Sequence, residues 1–183
     1  MPEFTQDWFS HNIPGLSEMM KLLSKRMSFL EIGSFEGRST LWFADQLDSG
    51  GHIDAVDTWG GSAEHTGIDF KDVYERFKRN IEGRRDILHF QHTAHDFMMS
   101  EWNVEYDFIY IDGSHKAADT LGDACVCWPA LRKGGIMVFD DYLWQVNDPA
   151  IDTPKMAVDA FIACYKPQLE IVLAGYQVGV RKL

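Results

Sequence analysis

Five short apolar runs, each followed by an amphipathic stretch, limit this chain more than any other feature. The runs are FLEIG (29–33), HIDAV (52–56), ILHFQ (87–91), DFIYID (107–112) and GIMVFD (135–140). Each has the length of a buried strand and is rich in branched or aromatic residues. Among them, apolar spacing predicts helices over about 37–47, 69–82, 95–101, 116–131 and 155–166. Regular alternation of strand and helix gives a parallel sheet covered on both faces. Right-handed crossovers then leave a doubly wound topology. The C-terminus breaks the rule. LEIVLAGYQVGVRKL (169–183) holds two strand-like runs around Ala174-Gly175, too closely joined to run parallel. The predicted fold is α/β: one sheet of five parallel strands plus a C-terminal antiparallel hairpin, seven strands in all.

A chain of 183 residues fits one domain, 1–183, with room for a substantial core. Residues 1–26 fall outside the sheet pattern and form an N-terminal helical and aromatic segment. Its DWFSHNIP (7–14) either covers a substrate with Trp8, Phe9 or His11, or straps onto the core. The net charge is −11, which opposes a nucleic-acid footprint and an anionic membrane surface. No apolar run is long enough to cross a bilayer, and the N-terminus lacks a secretory pattern. Three cysteines make no disulfide framework. Cys125 and Cys127 would leave a helix on opposite sides, so they read as small buried apolar residues rather than a metal pair. A reduced, cytoplasmic protein is expected.

LEIGSFEGRST (30–40) follows the first strand and opens a helix. Its two glycines, Gly33 and Gly37, do not match the three-glycine dinucleotide fingerprint, and no Gly-Lys-Ser/Thr is present. Glu31 would oppose a pyrophosphate at this place but suits a ligand with a cationic end. The second strand ends at Asp57, placed to accept hydrogen bonds from a ribose, and Trp59 could lie against an adenine. Adenosine with ammonium and sulfonium groups is S-adenosylmethionine. A tight turn with no ligand is the alternative for the loop.

Strand four ends at Asp112 and strand five at Asp140-Asp141. Neighbouring strands are about 4.8 Å apart, so these carboxylates crowd together. At least one would have a raised pKa unless a cation sat between them, and a hard divalent ion such as Mg²⁺ fits oxygen ligands. His115, three residues beyond Asp112, reaches the same edge and suits a general base. Without a metal, Asp112 would touch the cofactor, Asp141 would cap a turn and His115 would start a helix.

E-x-G-x-x-x-G followed by an acidic end to strand two resembles the Rossmann-like class I S-adenosylmethionine-dependent methyltransferases, over about residues 28 to 183. The run YIDGSHKAADTLGDACVCWPALRKGGIMVFDDY, with PKMAVDAFIACY after it, resembles the metal-dependent O-methyltransferases of the macrolide-sugar type. The resemblance implies methyl transfer to a hydroxyl of a small molecule, a sugar or vicinal diol, with S-adenosylhomocysteine as product. It implies metal ligands Asp112, Asp140 and Asp141, and His115 with Asp112 as the catalytic residues. The cofactor would meet Glu31, Gly33, Ser34, Phe35, Gly37, Ser39, Asp57, Thr58, Trp59 and Asp112, with Thr93 and Ala94 passing the adenine. The sugar-methylating relatives are longer, so an open pocket, a large substrate or a second subunit of a homo-oligomer is expected here. A metal-independent methyltransferase on another acceptor, a non-catalytic cofactor-binding relative and a nicotinamide-dependent oxidoreductase are the other readings. His89, His92 and His95 are evenly spaced, yet on a strand running into a helix they would not converge on zinc.

Overall fold

A computed structural model describes residues 1–62, 65–100 and 104–183. The strands are β1 (Ser28–Ile32), β2 (His52–Asp57), β3 (Ile87–Gln91), β4 (Tyr106–Ile111), β5 (Leu131–Phe139), β6 (Leu169–Ala174) and β7 (Val178–Lys182). The helices are α1 (Ile13–Leu22), α2 (Arg38–Ala44), α3 (Phe70–Asn80), α4 (Ala94–Ser100), α5 (Ala117–Cys127) and α6 (Pro154–Tyr165). The sheet order is β3-β2-β1-β4-β5-β7-β6. The first five strands pair in parallel, and β7 enters antiparallel between β5 and β6. This is the predicted outline. Two helices end clearly short of their patterns: α2 stops at Ala44, and α5 stops at Cys127, where the segment that follows holds Pro129, which cannot continue a helix, before β5 begins at Leu131. The last residue of the predicted 95–101 helix lies outside the described residues.

Two cores sandwich the sheet. Phe97 of α4, Ala124 of α5 and Phe161 of α6 pack on Leu30, Ile109, Met137 and Phe139. On the other face Leu16 of α1, Phe43 of α2 and Phe77 of α3 pack on Phe29, Tyr110, Ile136 and Val138. Strand periodicity sorts these sets, since neighbours along a strand point to opposite faces. Of the two cysteines expected to be buried, Cys127 is and Cys125 is not.

Residues 3–12 cross the sheet edge as a strap. Glu3 exchanges hydrogen bonds with Asn80. Thr5 donates from its backbone N and its hydroxyl to Glu36, a buried carboxylate that also pairs with Arg76 at 2.6 Å. Phe9 is buried against Phe43, Trp42 and Tyr110. The strap is therefore docked on the core, with Trp8 left half exposed against Phe35 and His65.

Candidate active site

The parallel strands end on one edge, and the acids predicted from the sequence end there with them. Register explains the meeting. Ile32 pairs with Ile111 and Ile111 with Phe139, so the residues just past β1, β4 and β5 stand side by side. Gly33 permits close approach. Its φ is +89°, and a Cβ there would lie 2.0 Å from the Asp112 carbonyl oxygen. No other residue fits so near the neighbouring loop.

Glu31 faces the α1–α3 side of β1 and is wholly buried. One carboxylate oxygen, Oε2, accepts hydrogen bonds from Ser34 at 2.7 Å and from Thr40. The other, Oε1, is buried without a donor. Burial pushes the pKa of Glu31 up to about 7, against the pull of the neighbouring Ser39, Thr40 and Ser34 hydroxyls, and the nearby Asp57 adds to the rise. An unsatisfied buried acceptor at the glycine loop suits a cationic ligand group. Thr40 was not among the predicted site residues, although it lies in the quoted loop.

Asp57 is arranged differently from the expectation. Its Oδ2 accepts from the backbone N of Ser34 and of Phe35, both at 2.9 Å, and Oδ1 accepts from Trp59 N at 2.7 Å. The carboxylate thus braces the glycine loop; Oδ2 has both acceptor sites filled, and Oδ1 keeps lone-pair capacity for a ribose hydroxyl. Trp59 offers no free ring face for an adenine. Its ring packs against Tyr74 at 4.4 Å and Phe77 at 4.8 Å, and its Nε1 donates to Phe35 O. An indole this buried belongs to the core, which explains the difference. Thr58 and Thr93 are exposed, with Thr93 capping α4 through Asp96, and Ala94 is buried.

At the far side of β1 stand Asp112, His115 and Asp141, each offering a ligand atom within 4.8 Å of the others. His115 Nε2 lies 2.9 Å from Asp141 Oδ2, and Tyr176 donates to Asp141 Oδ1 at 2.6 Å. The Trp144 ring lies 4.4 Å from the imidazole. Burial raises the Asp112 pKa well above the carboxylate range, and Asp140, Asp141, Glu31 and Asp57 raise it further. Burial acts the same way on Asp141, but hydrogen bonds from His115 and Tyr176 outweigh it and hold Asp141 low. Two carboxylates and an imidazole in this arrangement fit a divalent cation. Asp140 is not in the group. Its carboxylate turns to Asn12, Tyr110 and Gln177. His89, His92 and His95 are exposed and make no metal cluster among the described residues. Tyr110, Trp144, Tyr176 and Gln177 were missed; only Tyr110, two residues before Asp112 on a strand, left a trace in the sequence.

A family model described as a methyltransferase domain matches residues 30–142, more than half of the chain. The chain belongs to the methyltransferase-domain family. The seven-stranded sheet agrees with that assignment. A Bacillus cereus O-methyltransferase solved with S-adenosylhomocysteine is similar at 20% identity and TM-score 0.68, over 98% of this chain and 84% of that one. The Streptomyces achromogenes O-methyltransferase TomG, involved in tomaymycin synthesis and solved with S-adenosylmethionine, aligns at 17% identity and TM-score 0.70, over 94% and 80%. MycE, from the mycinamycin pathway and solved with Mg, S-adenosylhomocysteine and mycinamycin VI, aligns at 16% and TM-score 0.66, over 97% of this chain and 50% of its own. Likeness at these identities shows the fold. A search of curated proteins gives no sequence match. Among the described residues, no helix is long and apolar enough to cross a membrane.

Proposed function

We propose that this methyltransferase moves the methyl group of S-adenosylmethionine to a hydroxyl of a small molecule, a sugar or vicinal diol. The observation that carries the reading is Glu31, buried beside the glycine loop with one oxygen undonated. A methionine ammonium would meet that oxygen and keep the carboxylate ionised. The same charge would oppose the pyrophosphate of a nicotinamide cofactor.

Asp112 and Asp141 would hold a divalent cation such as Mg²⁺, which when bound lowers the pKa of a coordinated hydroxyl. Asp141 fixes the imidazole of His115, and His115 takes the hydroxyl proton. The oxygen then bonds to the methyl carbon as the carbon–sulfur bond breaks, leaving S-adenosylhomocysteine. Strap and loops supply alignment and exclude water.

A second reading is favoured by the 2.9 Å contact between His115 and Asp141, which is also a metal-free dyad with Asp141 as orienting group. Calorimetric titration with S-adenosylhomocysteine, NAD as control and Mg²⁺ present or absent tests the cofactor. Micromolar binding of the first and none of the second is expected. Binding of NAD alone would sink the reading. Loss of transfer in a chelator separates the metal route from the dyad.

A further inference from the structure

Asp140 stands next to the candidate cation group, yet every lone pair it can use is taken by this chain. Oδ1 accepts from Asn12 Nδ2 at 3.1 Å, Gln177 Nε2 at 2.9 Å and the backbone N of Asp141 at 2.9 Å. Oδ2 accepts from Asn12 Nδ2 at 3.0 Å and Tyr110 Oη at 2.5 Å. Gln177 also donates to Tyr110 Oη at 3.1 Å, which closes the ring of donors. Asp140 is 6% exposed and Asn12 is 5% exposed. Alternation along β5 gives the reason. Ile136 and Val138 face the α1–α3 core, and Asp140 continues that row towards Asn12. The next residue breaks the row. Asp141 has φ +55°, a left-handed conformation that aspartate tolerates, and its carboxylate meets His115 instead.

We propose that Asp140 is a positioning residue and not a metal ligand: it clasps the N-terminal strap through Asn12 and holds the backbone turn that aims Asp141 at His115. The division of work leaves cation binding to Asp112 and Asp141 and proton transfer to His115, and this part rests on the function proposed above. The clasp stands on geometry alone. Through it, a buried carboxylate at the reaction edge ties residues 3–12 to the catalytic strand end. An open clasp would free the strap from that edge, along with His11, whose ring meets Tyr176 at 5.7 Å.

The test uses the full chain and four variants: Asn12→Ala, Asp140→Asn, Asp141→Asn and the exchange Asn12→Asp with Asp140→Asn. In Asp140→Asn the new amide would point donors at the Asn12 amide. The exchange variant restores a donor–acceptor pair with reversed polarity and keeps one negative charge in the pocket. Hydrogen-exchange mass spectrometry follows the strap and the start of α1 at residues 8–16, and Mn²⁺ titration follows the cation group. Asn12→Ala and Asp140→Asn should speed exchange of the strap about tenfold or more, because a charge-assisted buried bond is lost. The exchange variant should return it to within about threefold of the original, a rescue that a general loosening would not give. Asp141→Asn should leave the strap protected and weaken Mn²⁺ about thirtyfold or more. Asp140→Asn should weaken it far less, through lost long-range attraction, and the exchange variant should recover that loss.

An Asp140→Asn chain that loses Mn²⁺ as Asp141→Asn does, with an unchanged strap, makes Asp140 a ligand and overturns the proposal. So does failure of the exchange variant to restore protection. If the unaltered chain binds no Mn²⁺, the cation reading falls, and strap exchange alone decides the clasp. Should Asp140→Asn not fold, Asn12→Ala decides it, since that change removes the donor and keeps the carboxylate.

Discussion

Replacing Glu31 with glutamine should strengthen the ligand-free fold at high pH while weakening the cofactor complex. The carboxyl titrates at 4.5 in an ordinary setting and at about 7 in this one, chiefly because it is buried. Ionising it in the folded chain therefore costs about 3 kcal/mol at pH 8. An acid with a raised pKa favours the fold below its unfolded value and loses that advantage as pH climbs through the folded one. The cost is thus absent below about pH 4.5 and complete above about pH 7. Glutamine cannot ionise, and its carbonyl can still accept from Ser34 and Thr40. Its NH₂ would stand where Oε1 has no partner, at a cost of about 1 kcal/mol. Near pH 5 the two chains should melt together. At pH 8 the variant should gain about 2 kcal/mol, roughly 4–8 °C in Tm for a chain of this size. S-adenosylhomocysteine should bind the variant about thirtyfold less tightly, for want of a carboxylate opposite the ammonium. Melting curves at the two pH values and calorimetry at pH 8 check this. A variant that melts lower at pH 8, or binds the cofactor as tightly as the original, refutes the placement of the ammonium.

Other changes probe other parts of the edge. His115→Ala should keep S-adenosylhomocysteine binding and lose transfer about 10²–10⁴-fold, measured by single-turnover kinetics; an unchanged rate would remove the base. Chelation should abolish transfer and leave cofactor binding intact by calorimetry, if Asp112 and Asp141 work through a cation. Gly33→Ala should destabilise the fold by about 3 kcal/mol or more in denaturant titration, because its Cβ would strike the Asp112 carbonyl and its φ is +89°. Phe9→Ala should cost about 3 kcal/mol by the same assay, as a buried aromatic leaves Phe43 and Tyr110 without cover.

The fold was legible because the central parallel strands β1, β2 and β4 and the last half of β5 are buried on both faces and read as apolar runs, although β3, at the sheet edge, leaves Leu88 and His89 exposed, and the glycine turn at Ala174-Gly175 marked the hairpin. The cluster of Asp112, His115 and Asp141 was legible as far as strand ends go, since residues past β4 and β5 must meet. What escaped was orientation. Asp140 and Asp141 are adjacent in the chain, and only the left-handed φ of Asp141 sends them to different partners. No local pattern announces that. Trp59 escaped for a related reason: its ring serves the core because Tyr74 and Phe77 arrive from α3. Asn12 and Gln177 lie at the two ends of the chain, so their meeting at Asp140 is purely tertiary.

Five acids share this edge, and the chain answers their charge in different ways. Asp57 takes three backbone N–H groups, Asp140 a ring of neutral donors, and Asp141 a histidine and a tyrosine. Glu31 has two hydroxyls and a raised pKa. Asp112 draws no hydrogen bond onto its carboxylate from any described residue, and its pKa is raised well above the usual range. Among the described residues it is the one of these acids that receives no hydrogen bond, so it is where a positive partner gains most. Asp112→Asn should therefore raise Tm at pH 8 in a chelator, by sparing the cost of ionisation, and the gain should shrink as the pH falls. The same variant should lose the added stability that Mn²⁺ gives the unaltered chain. A variant that melts lower in chelator and still gains from Mn²⁺ would show that Asp112 is a structural acid and that the cation, if one binds, sits on other residues.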